Sequence, residues 1–128
     1  MGEDKSEYWM DLSEYDLETA KAMQDTNRFL YVGFMCHQVV EKSLKALIAK
    51  AGTIPPKVHS LVRLAELSGV NSLLDINQTA FLNDLLPLNI EARYPSDKEQ
   101  LSKTLNEQYC ASLIEKTEGF FSWIRKQL

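Results

Sequence analysis

The sequence predicts an all-α protein, an antiparallel up-and-down helical bundle of four main helices plus a short extra helix. Three observations carry this. Apolar residues recur at intervals of three and four over long stretches. No apolar–polar alternation persists beyond a few positions, so strands have no pattern to form on. Punctuation is sparse, with 5 Gly and 4 Pro, and three of the prolines fall where a helix would start, stop or bend.

The first helix is expected from Ser6 to Asp25, where Trp9, Leu12, Ala20 and Met23, with Asp16 and Leu17 between them, give the repeat. Ser6 suits its start, and Asp25-Thr26-Asn27 is a turn cluster. The second runs from about Arg28 to Ala51 and stops at Gly52, a residue type favoured just past a helix end. At roughly 24 residues it is about 36 Å long. Thr53-Ile54-Pro55-Pro56-Lys57 cannot continue it, because proline lacks the amide donor and restricts its predecessor. A short third helix follows from Ser60 to Leu67, closed by Ser68-Gly69, and Asn71 to Asn77 reads as a loop. A fourth runs from Gln78 to Ala92 with Pro87 bending or dividing it. Tyr94-Pro95-Ser96-Asp97 is expected as a loop. The last helix spans Ser102 to Lys126, with Leu105, Tyr109, Leu113, Phe120 and Ile124 on or near one stripe. Long amphipathic helices on short connections read as one bundled domain over residues 1–128.

Composition narrows the function classes. The chain has 128 residues, 45% of them hydrophobic, and a net charge of −4. That length and apolar content suffice for a core without disulfides or metal. An acidic pI of about 5.2 argues against a general nucleic-acid coat protein and leaves room for a local basic site. No apolar run is long enough to span a bilayer, and the N-terminal segment has no signal-peptide-like apolar stretch, so a cytoplasmic setting is expected. Cys36 and Cys110 sit in apolar helical surroundings and read as small buried hydrophobes of a reducing compartment. Two Cys and two His, all far apart, give no zinc signature, and no metal or cofactor is expected. Phosphate-loop, dinucleotide-loop, nucleophile-elbow and zinc-protease motifs are absent. Asp11, Glu14 and Glu18 follow a solvent-face spacing.

Three polar signals remain. In the second helix, Gln38, Glu41 and Lys45 fall within about 60° of arc, while Cys36, Val39, Val40, Leu44 and Leu47 occupy the opposite arc. This strip is either a solvated face, with a Glu41–Lys45 pair worth a few tenths of a kcal/mol, or the lining of a groove or oligomer interface. His59, after the proline loop, reads as a helix-start residue bonded to backbone or a neighbouring side chain. Its alternative is a ligand-binding or catalytic role, since histidine titrates near neutrality. His37 reads as packed. In Arg93-Tyr94-Pro95-Ser96-Asp97, the arginine fork suits phosphate or carboxylate, and the tyrosine stacks or bonds through its hydroxyl. The structural alternative pairs Arg93 with a second-helix carboxylate such as Glu41.

Read together, these blocks resemble the HEPN domain (higher eukaryotes and prokaryotes nucleotide-binding). The resemblance rests on Trp9, on Asp16-Leu17-x-x-Ala20, and on Gly33-Phe34-x-x-His37-Gln38-x-x-Glu41-Lys42-x-Leu44-Lys45-Ala46. Pro56-x-x-His59-Ser60-Leu61 and Ala92-Arg93-Tyr94-Pro95-x-Asp97 complete it, and it covers about residues 7–127. It implies a bundle of four main helices with a short extra one, frequent homodimers, and partnership with a minimal nucleotidyltransferase in toxin–antitoxin modules. One branch of the family consists of metal-independent ribonucleases with an Arg followed, four to six residues on, by a His. Here the positions after Arg93 at those spacings are Lys98, Glu99 and Gln100, so that base is missing.

The expectation is therefore a protein that binds a nucleotide or nucleic-acid phosphate through Lys45, His59, Arg93 and Tyr94. Gln38, Glu41 and Asp97 form the supporting polar strip. A homodimer and a nucleotidyltransferase partner are expected, with a nucleotide or RNA as ligand. The alternatives are a ribonuclease toxin and a purely structural dimerisation module. Aromatics along the first and last helices (Tyr8, Trp9, Tyr15, Phe120, Phe121 and Trp123) are expected to leave apolar surface for a second copy.

Overall fold

A computed structural model describes residues 4–90 and 95–128. Among the described residues six α-helices follow one another: α1 (Ser6–Asp25), α2 (Phe29–Lys50), α3 (Leu61–Ser68), α4 (Ile76–Leu85), α5 (Pro95–Thr104) and α6 (Glu107–Gln127). Short 3₁₀ turns occupy Asn71–Leu73 and Leu86–Leu88. No strand is present among the described residues. The all-α expectation holds.

The helix ends have local causes. Asn27 takes a positive φ of 60° after α1, with Arg28 N–H donating to the Met23 carbonyl at 2.8 Å. Gly52 (φ 88°) and Gly69 (φ 81°) do the same after α2 and α3. There the following amides, of Thr53 and Val70, bond back to Ile48 and Ala65. These are left-handed caps that satisfy the last carbonyls of each helix.

The second helix is the axis of the molecule. It packs along α1, α6 and α3, and Val32, Cys36, Val39, Val40 and Leu44 on it are fully buried. Cys36, Val39, Val40 and Leu44 are the apolar arc read from the sequence; Val32 extends it, and Leu47 is only half-buried. On α1 the buried line is Met10, Ser13, Asp16, Leu17 and Ala20. It lies slightly rotated from the expected one, with Trp9, Leu12 and Met23 at its half-buried margins. Ser13 is admitted because its hydroxyl donates to the Val39 carbonyl at 2.7 Å. On α6, Leu113, Phe120 and Ile124 are buried as expected, and Tyr109 stays exposed at the rim. The close fit at Gly33 depends on its missing side chain: a Cβ there would meet Leu105 at 3.2 Å.

Three element expectations need correction. The fourth helix starts at Ile76, because Asp75 and Gln78 form a reciprocal capping box. Pro87 divides rather than bends it, and α4 ends at Leu85. The segment expected as a loop at 94–97 contains the first turn of α5, which starts at Pro95. That helix has no buried residue, so hydrophobic periodicity could not reveal it, although proline at a first helical position was a signal. The last helix correspondingly starts at Glu107, where the Asn106 side chain accepts from the Tyr109 amide at 2.8 Å. Of the aromatics expected to leave apolar surface for a second copy, Phe120 and Phe121 are buried in the core and leave none. Tyr8 and Tyr15 remain outward, and Trp9 and Trp123 are half-buried.

Candidate functional site

Helix α2 delivers two charged residues to the interior from adjacent positions. Lys42 donates to the Asp16 carboxylate of α1 in a tight ion pair. Glu41 points elsewhere and is 3% exposed. An isolated carboxylate at that depth is costly, so its partners define the site.

Lys45, one turn on, donates to Glu41 Oε2 at 3.2 Å and is itself buried. Its ammonium also lies 5.5 Å from the centroid of the Trp9 ring on α1, a cation–π arrangement. His37, one turn before, places Nδ1 3.8 Å from Glu41 Oε1 and 3.4 Å from Gln38 Oε1. The third partner comes from outside the helix. His59 Nδ1 lies 3.2 Å from both oxygens of Glu41.

His59 reaches Glu41 for local reasons. Pro55 and Pro56 stop helix formation after Gly52. Ser60 then caps α3, its hydroxyl accepting from the Arg63 amide at 3.2 Å. Buried Leu61 and Leu64 fasten that helix to the core beside α2. His59 is thereby held at the threshold of α3, its side chain 65% exposed while its partner's is 4% exposed.

The arrangement fixes a tautomer. A carboxylate neutralised by the neighbouring ammonium only accepts hydrogen bonds, so Nδ1 carries the proton toward Glu41. The other ring nitrogen, Nε2, has no partner among the described residues, and the side chain as a whole is mostly exposed. It accepts a hydrogen bond in the neutral ring and donates one in the imidazolium. A phosphate oxygen or a hydroxyl proton are its natural counterparts.

The structure brings Gln38, Glu41, Lys45 and His59 together. The solvated-face reading of Glu41 and Lys45 is corrected: both are buried, with Trp9 of α1 against Lys45 and His59 against Glu41 on that side of the helix. The neighbour-bonded reading of His59 is the geometry found. Asp97 is exposed in the first turn of α5 and is not among the groups bonded to Glu41. Arg93 and Tyr94 lie outside the described residues. Sequence reasoning missed Trp9 as a member of this cluster and His37 as a flank of Glu41. The spacing His37–Glu41–Lys45, three residues four apart on one helix, was the available signal. Asp11, Glu14 and Glu18 are exposed, as their spacing indicated.

The thiols take no part in this site. Burial pushes Cys36 up to about 12 and Cys110 up to about 11, so neither offers a thiolate near neutrality. No group of three or more metal-ligating side chains is present among the described residues. No helix of the described residues is long and apolar enough to cross a membrane.

Comparison with known proteins adds a family and a fold. The HEPN domain description matches residues 6–127. A solved structure, TT1696 from Thermus thermophilus, superposes with a TM-score of 0.84 at 14% identity, covering 98% of this chain and 100% of that one. At that identity the likeness establishes the fold alone. No curated protein matches.

Proposed function

The chain belongs to the HEPN domain family, and from that premise we propose that it binds a nucleotide or a nucleic-acid phosphate beside Glu41 and His59. Family membership supports a nucleotide- or nucleic-acid-related function in general terms. The observation that carries the finer reading is an exposed imidazole clamped through Nδ1 by a buried carboxylate. Such a ring is pre-oriented, so a ligand contacting Nε2 does not bear the cost of ordering it.

In this reading His59 meets a phosphate oxygen through Nε2–H. Glu41 orients the ring, and Lys45 pairs with the Glu41 carboxylate from the other side. Arg93 supplies the phosphate-binding fork and Tyr94 the stacking surface, by their match to the family motif. The protein acts with a minimal nucleotidyltransferase in a two-protein, toxin–antitoxin-like module and forms a homodimer. Exposed Tyr8 and Tyr15, about two helical turns apart on one side of α1, support an interface there.

Calorimetric titration of ATP, GTP, CTP and UTP into the purified protein tests the site. At least one is expected to bind, with affinity falling about tenfold or more in His59→Ala and in Arg93→Ala. No heat with any of the four at high micromolar protein would contradict a site on the isolated chain. Affinity capture from source-cell lysate tests the partner. A stoichiometric nucleotidyltransferase is expected, and recovery of the chain alone would contradict the module.

A second reading, a metal-independent ribonuclease, is favoured by the same Glu41–His59 pair. A carboxylate-buttressed imidazole is a competent base for a 2′-hydroxyl. Incubation with total RNA in EDTA decides it: cleavage lost in both His59→Ala and Arg93→Ala supports the ribonuclease, and intact RNA excludes it.

A further inference from the structure

The Trp9 ring that carries Lys45 also lines a cleft, and no ligand has been assigned to this cleft above, although its Tyr8 also belongs to the proposed dimer face. Its volume is about 440 Å³, within the range of small-ligand pockets. Tyr8 and Trp9 of α1 contribute to its lining, with their rings edge to face at 5.6 Å and 81°. Ile54 and Pro55, from the loop after α2, contribute the aliphatic part. Ala49 and Gly52 add little bulk to the lining. A Cβ at Gly52 would meet nothing within 4 Å, so there is open space at that point.

Two features ask for an occupant. Ile54 is 89% exposed and Tyr8 58%, although both border an apolar space. Among the described residues, the lining members that carry a polar side-chain group are Lys5, Tyr8 and Thr53. Lys50, at the end of α2, is also exposed and pairs with Asp4 at 3.3 Å. The lining combines aromatic and aliphatic surface, and its one charged member among the described residues is a lysine. That chemistry matches a flat ring joined to an anionic group.

We infer that this cleft takes the ring of a planar, anionic small molecule of the nucleotide class, held against Tyr8, Trp9 and Ile54, with its anionic group facing Lys5. The inference deepens the nucleotide-binding reading but places the ring in a second locus, across Trp9 from the Glu41–His59 pair. Trp9 touches both loci, so occupancy of the cleft registers in the Lys45 contact.

The indole N–H signals of Trp9 and Trp123 in ¹H–¹⁵N spectra test this, with adenosine, AMP and ribose 5-phosphate as probes. Adenosine and AMP are expected to shift the Trp9 signal and leave Trp123 unmoved, and ribose 5-phosphate to shift neither. Ile54→Asp and Tyr8→Ala, both at exposed positions, are expected to weaken AMP about tenfold or more. Lys5→Gln is expected to weaken AMP and spare adenosine. A Trp9 signal unmoved by adenosine and AMP overturns the inference, as does an AMP shift that survives Ile54→Asp. Nucleotide binding lost in His59→Ala but kept in Ile54→Asp overturns the cleft and leaves the Glu41–His59 site standing. A dimer that Ile54→Asp dissociates, with no ligand-induced shift, assigns the cleft to a second copy and also overturns it.

Discussion

The ion pairs that start from Glu41 and Lys42 occupy adjacent positions on α2, yet they are built differently. Lys42 and Asp16 form a closed clamp between α2 and α1: one cation, one anion, nothing left over. The clamp ties the two long helices in register, and the lysine, 22% exposed, keeps some contact with water. The Glu41 cluster is open. Lys45 neutralises the carboxylate, but Glu41 has a second commitment to an imidazole that faces solvent. The difference separates a charge pair that serves the fold from one that serves a ligand. A structural pair satisfies its own members, whereas a functional one holds a third group in a chosen orientation.

The largest expected effect comes from breaking the open cluster at its centre. Glu41→Ala leaves the Lys45 ammonium buried without its counter-ion, and a loss of about 3–5 kcal/mol in urea unfolding is expected. A loss below about 1 kcal/mol would mean that the cluster is not buried as described. Glu41→Gln retains the shape, and is expected to lose less stability but to release His59.

Asp16→Ala breaks the closed clamp. Lys42 can turn toward solvent, so a smaller loss of about 1–2 kcal/mol is expected, with no change in nucleotide affinity. An affinity change from this variant would erase the distinction between the two pairs.

Alkaline pH probes the apolar interior instead. The Cys36 and Cys110 thiols are raised in the folded state above their ordinary value of 9.0, to about 12 and about 11. Their contribution is therefore intact below pH 9 and is lost as pH climbs from there toward 11–12, because only the unfolded chain ionises them readily. By pH 10 a loss of about 1 kcal/mol per thiol is expected. Both thiols are expected to resist disulfide-exchange reagents near pH 8 until the chain is unfolded. Fast labelling of the native protein would contradict their burial.

The smallest stability effect is the most telling. His59→Ala removes a side chain that is 65% exposed, and is expected to change stability by less than about 0.5 kcal/mol. The same change is expected to weaken nucleotide binding about tenfold. A large stability loss with unaltered binding would make His59 a structural residue like Lys42.

Much of this fold was legible because its long helices are amphipathic. The α2 arc of Cys36, Val39, Val40 and Leu44, the stop at Gly52 and the stripe of α6 all follow from spacing and caps. Helix α5 escaped because it is polar apart from Leu101, which only half-buries against the core, so only its first residue, Pro95, marked it. The start of α4 at Ile76 was written in Asp75 and Gln78, a cap rather than a periodicity. The candidate site was legible as residue types and not as depth. Glu41 and Lys45 read equally well as a solvated pair, because one helix's spacing does not say what will cover it. Their burial depends on Trp9 and on the chain returning to place His59, contacts 18 or more residues away in sequence.

The most direct test is a ¹H–¹⁵N correlation of the histidine rings at slightly alkaline pH, recorded with and without nucleotide. The account predicts that His59 carries its proton on Nδ1, loses that preference in Glu41→Gln, and shows its nucleotide-induced shift at Nε2. Without nucleotide, a neutral His59 ring carrying its proton on Nε2 instead of Nδ1 would contradict it, as would an Nε2 that ignores every nucleotide tried.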